Sequence, residues 1–241
     1  MTIFAPANKN HVMAKKAAKP AQVQEQKGLE EALSKSEQFF ENNKKTIFGC
    51  LIAIIVIIAG GMLYNAKVVQ PRELKASEAI FPGESYFVNG DYSTALNGDA
   101  YGFEGFEELC KQYKNTKAGK LAALYAGLCY AQLDSMDVAQ EYLEKFDGKD
   151  KMVAPAALGA LANCYATNGQ VSKAAATFEK AAKKADNNLL SPYYYLQAGL
   201  MYESLDKPAQ ALKLYKEIKA KYPDSNEGLD IDKYIVRLTS K

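Results

Sequence analysis

The chain of 241 residues holds one histidine, His11, in a polar Ala/Lys-rich stretch near its start. That excludes a His-based catalytic triad or an HExxH zinc helix from everything that follows. Gly102 and Gly105 make no GxGxxG, and no Walker sequence occurs. Cysteine is scarce. Cys50 lies inside an apolar run, and Cys110, Cys129 and Cys164 are an odd number at irregular spacing without a CxxC pair. They form neither a disulfide framework nor a zinc site, and read as three small buried residues. Asp and Glu are scattered over solvated faces. The residues point to no enzyme, cofactor, metal or small-molecule substrate. Net charge is lacking too: 30 basic against 28 acidic residues leave +2. No basic stripe marks nucleic acid as a partner. The small excess sits in residues 1–45, with 8 Lys against 5 Glu.

What the chain does have is one long run without charge, Thr46 to Ala66, closed by Lys44 and Lys45 on one side and Lys67 on the other. At about 1.5 Å per residue it reaches roughly 31 Å, enough to cross a bilayer. Tyr64 stands where an interfacial aromatic would sit. The preceding segment is too long for a signal-peptide n-region and no A-x-A site follows, so 46–66 reads as a retained signal anchor. Basic residues on the two sides nearly balance. The Lys44–Lys45 pair tips the orientation weakly towards a cytoplasmic N-terminus. Residues 1–23 read as a disordered leader. Residues 24–45 read as a juxtamembrane helix with Leu29, Leu33, Ser36 and Phe40 on one face.

Beyond residue 67 the chain repeats itself. Tyr130, Tyr165 and Tyr202 are preceded at three residues by Gly127, Ala162 and Gly199. They are followed at nine residues by Ala139, Ala174 and Ala211, and four further on by Leu143, Phe178 and Tyr215. Small residues let paired helices approach, and large ones fill the gaps between them. This pattern resembles the tetratricopeptide repeat, a helix–turn–helix of about 34 residues with W-x2-L-G-x2-Y, A-x3-F and a final P. There are departures: no repeat has the Trp, the turn glycine is replaced by Asp134 and Asp206 in two copies, and Pro223 is the only final proline. Three copies are expected at 120–153, 155–188 and 192–225. A degenerate copy is expected at about 74–116, where Tyr86, Gly90, Tyr92 and Ala95 match before the Gly-rich stretch Asn97–Gly105 breaks the pattern. Residues 226–241 read as a cap, with Leu229, Tyr234, Ile235 and Leu238 as its apolar face. The expected fold is all-α: a transmembrane helix, then a helical solenoid over 67–241.

In that family, positions 2, 5, 9, 12 and 13 of each first helix line a groove. The resemblance therefore implies a partner groove of Leu121, Leu124, Leu128, Ala131 and Gln132; Ala156, Gly159, Asn163, Ala166 and Thr167; and Tyr193, Leu196, Leu200, Glu203 and Ser204. It is mostly apolar and suits an extended or amphipathic polypeptide. Of the carboxylate-clamping residues some relatives use, only Asn163 is matched. Cys129 and Cys164 share a position that usually holds a buried Ala.

The order of anchor and repeats, with FFENNKKTIFG entering the span and KEIKAKYPDSNEG near the end, resembles the YfgM-like ancillary subunits of the bacterial SecYEG translocon. The resemblance implies an inner-membrane protein with a cytoplasmic N-terminus and periplasmic repeats. Its partners would be translocon subunits, periplasmic chaperones or emerging polypeptides. The same features fit an adaptor of another envelope machine, in cell division or outer-membrane assembly, or a receptor with cytosolic repeats.

Overall fold

A computed structural model describes residues 19–240, with side chains at 39 and from 41 onward. The expectations for 1–18, and for the face built by Leu29, Leu33, Ser36 and Phe40, lie outside what is described. Two compact units are present, divided after Tyr64. The first holds one helix, α1 (Lys19–Tyr64). It starts before residue 24, so 19–23 belong to the helix and not to an irregular leader. Pro20 sits in its first turn, where a missing N–H costs nothing. Among the described residues one helical stretch, Glu41–Val88, is long and apolar enough to cross a membrane. Its apolar side chains point outward all round, from Phe48 and Ile52 to Ile57 and Leu63.

The second unit opens with a π-helical turn, Asn65–Val69, followed by ten helices. These are α2 (Gln70–Val88), α3 (Tyr92–Asn97), α4 (Phe106–Gln112), α5 (Lys117–Gln132), α6 (Met136–Leu143), α7 (Val153–Thr167), α8 (Val171–Ala185), α9 (Ser191–Ser204), α10 (Pro208–Lys221) and α11 (Asn226–Thr239). Helices α5 and α6, α7 and α8, and α9 and α10 are antiparallel pairs stacked side by side. Helix α2 pairs with a helix broken into α3 and α4.

Close approach is set by glycine in three of the four pairs and by the buried Ala162 in α7–α8. A Cβ on Gly127 would stand 2.7 Å from Leu143 Cγ, and one on Gly199 would stand 2.3 Å from the Tyr215 ring. Both large residues are buried, and each such side chain contributes about 1.5–3 kcal/mol by leaving water. Gly83 plays the same part for Phe106, with 2.6 Å between its virtual Cβ and the ring. That partner lies seven residues later than in the other pairs, and the extra length falls within the 97–105 insertion.

The turn of each pair is closed by the repeat tyrosine. Its carbonyl accepts from the residue five further on: Asp91 to Tyr86 (3.0 Å), Ser135 to Tyr130 (2.9 Å), Gln170 to Tyr165 (2.7 Å) and Lys207 to Tyr202 (2.9 Å). Such a closure needs a left-handed residue after the helix. Gly90 (φ 78°) and Gly169 (φ 73°) supply it, and Asp134 (φ 58°) and Asp206 (φ 54°) adopt the same conformation. The aspartates that depart from the sequence pattern thus do the glycine's work, at a steric cost that Asp tolerates better than most residues.

The same tyrosines lock neighbouring pairs together. Tyr130 donates its hydroxyl to Glu107 of α4 at 2.8 Å, Tyr165 to Glu144 just past α6 at 2.8 Å, and Tyr202 to Glu179 of α8 at 2.7 Å. Tyr86 belongs to the first pair and has no preceding pair to meet. Its hydroxyl goes instead to Asp99 of the insertion, at 2.7 Å. Asp99 also accepts from the N–H groups of Tyr101 and Phe103. Gly98 and Gly105 turn the chain with positive φ where no Cβ would fit. Phe103 and Phe106 then seal the end of the core. The insertion is a folded end-plug.

At the other end α11 packs on α10 through Ile231, which is fully buried, with Tyr234, Ile235 and Leu238 beside it. Leu229 was expected on that face but is 74% exposed. It lies two residues from Ile231, about 200° round the helix, so the apolar face is phased on 231. Glu203 receives both Tyr215 Oη and Arg237 Nη2, at 2.5 and 2.6 Å, tying α9, α10 and α11 together.

Two outcomes follow for the full chain in nanodiscs. Gly199→Ala, which in an open helix would gain up to about 1 kcal/mol, should lose roughly 1–3 kcal/mol in urea unfolding because the methyl meets Tyr215. Burial first, and then the bond to a carboxylate, push the Tyr130, Tyr165 and Tyr202 phenols up to about 12 from 10.0. A folded state that holds these protons more tightly keeps its full stability below pH 10 and loses it between pH 10 and 12. Circular dichroism across that window should show a cooperative loss of helix.

Candidate functional site

In each first helix of a pair, one stripe stays open to solvent. On α5 it is Leu121, Tyr125, Leu128 and Gln132; on α7 it is Ala156, Ala160, Asn163 and Thr167; on α9 it is Tyr193, Gln197, Leu200 and Ser204. All three have the spacing i, i+4, i+7, i+11, which keeps a single helix face. The stripes occupy equivalent positions of the three pairs and contain no charged residue.

The residues expected from the repeat pattern divide. Gln132, Asn163, Thr167, Ala156 and Ser204 are exposed, and Tyr193 is 41% exposed. Leu121, Leu128 and Leu200 are half-buried on the same stripes. Leu124 does not line an open surface. It is 4% exposed, in a core cluster with Leu143, Ala157 and Leu161. Gly159 is covered by the Tyr194 ring, and Leu196 packs against the core shared by α9 and α10. Ala131 and Ala166 are half-buried beside the stripe. Glu203 is committed to Tyr215 and Arg237, so it serves the cap. The common cause is helical phase. The fifth repeat position faces packed side chains of its own or a neighbouring pair, whereas the sixth (Tyr125, Ala160, Gln197) continues the stripe. That was available from the sequence as the residue one turn beyond Leu121, Ala156 and Tyr193.

The chemistry of the stripes is mixed. Leu121, Leu128, Tyr193 and Leu200 offer apolar area. Tyr125 anchors one edge, its ring stacked on Phe106 at 4.8 Å and its hydroxyl donating to Glu84 at 3.2 Å. Gln132, Asn163 and Gln197 carry primary amides with no side-chain hydrogen bond to any described residue. An amide both donates and accepts, which matches peptide backbone. Cysteines contribute nothing here: Cys129 and Cys164 are buried at 0% and 1%, and burial pushes the Cys129 thiol up to about 12. Such a thiol is unreactive at neutral pH.

Comparison with known proteins agrees with this geometry. The sequence profile of the tetratricopeptide repeat matches residues 193–225. No curated protein matches the chain in sequence. Among solved structures the chain is similar to the nearly identical TPR-like repeats of a kinesin light chain candidate from Podosopora anserina. The identity is 17%, the TM-score is 0.50, and the match covers 70% of this chain and 87% of that one. It is also similar to the MamA protein, at 16% identity and TM-score 0.50 over 69% of this chain and 92% of that one. The helical array therefore has a tetratricopeptide-type solenoid fold.

If the three free amides serve a ligand and not the fold, replacing Gln132, Asn163 and Gln197 together by Ala should leave unfolding free energy within about 0.5 kcal/mol of the parent. A loss of several kcal/mol in urea unfolding would make them structural.

Proposed function

We propose that this chain is a membrane-anchored, non-catalytic scaffold that binds polypeptide on the stripe face of α5, α7 and α9. The observation that carries this reading is the register of the three stripes. Uncharged, partly apolar side chains and unpartnered amides recur at one face of successive pairs, while the other faces of those helices are buried. Apolar area would take a partner's side chains and the amides its backbone. The anchor is residues 46–66 within α1 and the turn after it, whose outward apolar side chains suit a lipid environment.

The finer reading is a translocon-associated co-chaperone or adaptor in the bacterial inner membrane, with the N-terminus cytoplasmic and the repeats periplasmic. Its partners would be translocon subunits, periplasmic chaperones or emerging polypeptides. It rests on the order of anchor and repeats and on the sequence resemblance around both.

The test is site-specific photocrosslinking in cells from Leu128, Asn163 and Leu200, with the exposed Lys213 of α10 as control. Crosslinks to translocon or chaperone subunits, or to nascent periplasmic proteins, from the stripe alone are the expected result. Cell-division or outer-membrane assembly subunits would redirect the reading to another envelope machine. Repeats protected from protease added outside the inner membrane would replace it with a cytosolic receptor. Equal capture from Lys213 would remove the stripe as the site. Because the stripe is uncharged, affinity for a captured partner should change less than about threefold between 50 and 300 mM salt.

A further inference from the structure

Among the second helices of the three clear repeats, α6 is the short one. It has 8 residues, where α8 has 15 and α10 has 14. The repeat period is kept, so the missing turns are replaced by the irregular segment 144–152. Gly148 lies under the Phe146 ring, and Asp147 is held by Lys120 at 2.6 Å. This segment does not fill the volume that two helical turns would occupy. A cleft of about 350 Å³ remains between it, α7 and α8.

The cleft has two chemically distinct parts. Leu143, Phe146, Leu158 and Leu161 make an apolar floor. Lys180 and Lys184, one turn apart on α8, stand at its rim. Neither lysine has an acidic partner within ion-pair distance among the described residues, although Lys183 beside them is paired with Glu179. Of the two carboxylates at the cleft, Asp147 is neutralised by Lys120, and Glu144 is occupied by Tyr165 Oη and Gln140 Nε2. Two lysines without an ion-pair partner among the described residues thus line a largely apolar hollow. On α7 the cleft uses residues 154, 157, 158 and 161, about half a helical turn from the stripe of 156, 160, 163 and 167. It is a separate site on the opposite face.

We propose that this cleft binds an aliphatic carboxylate, with the alkyl group on Leu143, Phe146, Leu158 and Leu161 and the carboxylate between Lys180 and Lys184. Charge-assisted bonds from two lysines orient the head while the tail leaves water. A free short-chain acid and the C-terminus of a polypeptide ending in an aliphatic residue present the same chemistry.

The test uses the full chain in nanodiscs with 13C-labelled leucine methyl groups, titrated with hexanoate, hexanol, and the peptide Gly-Gly-Leu-Leu as free acid and as amide. Hexanoate should shift the Leu143, Leu158 and Leu161 methyl signals saturably, with hexanol at least tenfold weaker. The double substitution Lys180→Glu/Lys184→Glu, at an exposed and a half-buried position, should abolish the difference. Binding of hexanoate without the peptide acid assigns a free acid; tighter binding of the peptide acid than of its amide assigns a chain terminus. Equal shifts by hexanoate and hexanol, an unchanged titration in the double variant, or no saturable shift with hexanoate or the peptide acid would overturn the proposal. None of these results depends on the stripe face.

Discussion

The architecture hangs on one residue used twice. The tyrosine at the end of each first helix closes its own turn through its carbonyl and reaches a carboxylate through its hydroxyl. In three of the four pairs that carboxylate belongs to the preceding pair. A half-buried phenol needs a partner, and a carboxylate is a strong one. Local turn geometry is therefore coupled to the seam between repeats. Where no preceding repeat exists, the 97–105 insertion bends back to present Asp99. Where no following repeat exists, Arg237 and Tyr215 share Glu203. Both ends of the solenoid are thus finished with carboxylate chemistry of the same kind.

That coupling frees the remaining face. Since glycines, turn closures and seam bonds hold the helices in register, the outer side chains of the stripes on α5, α7 and α9 are free of most of that task. They can present Leu, Tyr, Asn and Gln at intervals set by the repeat. A single repeat could bury neither its own core nor a ligand of any length, and stacking supplies both. Repetition also explains why one irregular helix matters. A shortened α6 leaves a gap because α8 beside it is full length.

Much of this was legible in the sequence because repetition is a redundant code. Tyr130, Tyr165 and Tyr202 with their Gly or Ala and their large partners announce paired helices three times over. The apolar run 46–66 announces itself by length alone. What was not legible depends on phase and on non-local partners. Leu124 and Gly159 were placed on the binding face, yet each is covered by a side chain from a neighbouring helix. Leu229 and Ile231 are both aliphatic, and only packing against α10 selects the second. Asp134 and Asp206 looked like losses of a turn glycine because a sequence pattern records residue type and not backbone conformation. The insertion registered only as a break in the pattern because its contact lies with Tyr86, 13 residues before Asp99.

The most direct test of the coupling is a pair of double-mutant cycles in the full chain, Tyr165→Phe with Glu144→Gln and Tyr202→Phe with Glu179→Gln, read by urea unfolding. The account predicts a coupling energy of roughly 1–2 kcal/mol in each cycle. Coupling indistinguishable from zero in both would mean that the seams are held by packing alone, and would contradict it.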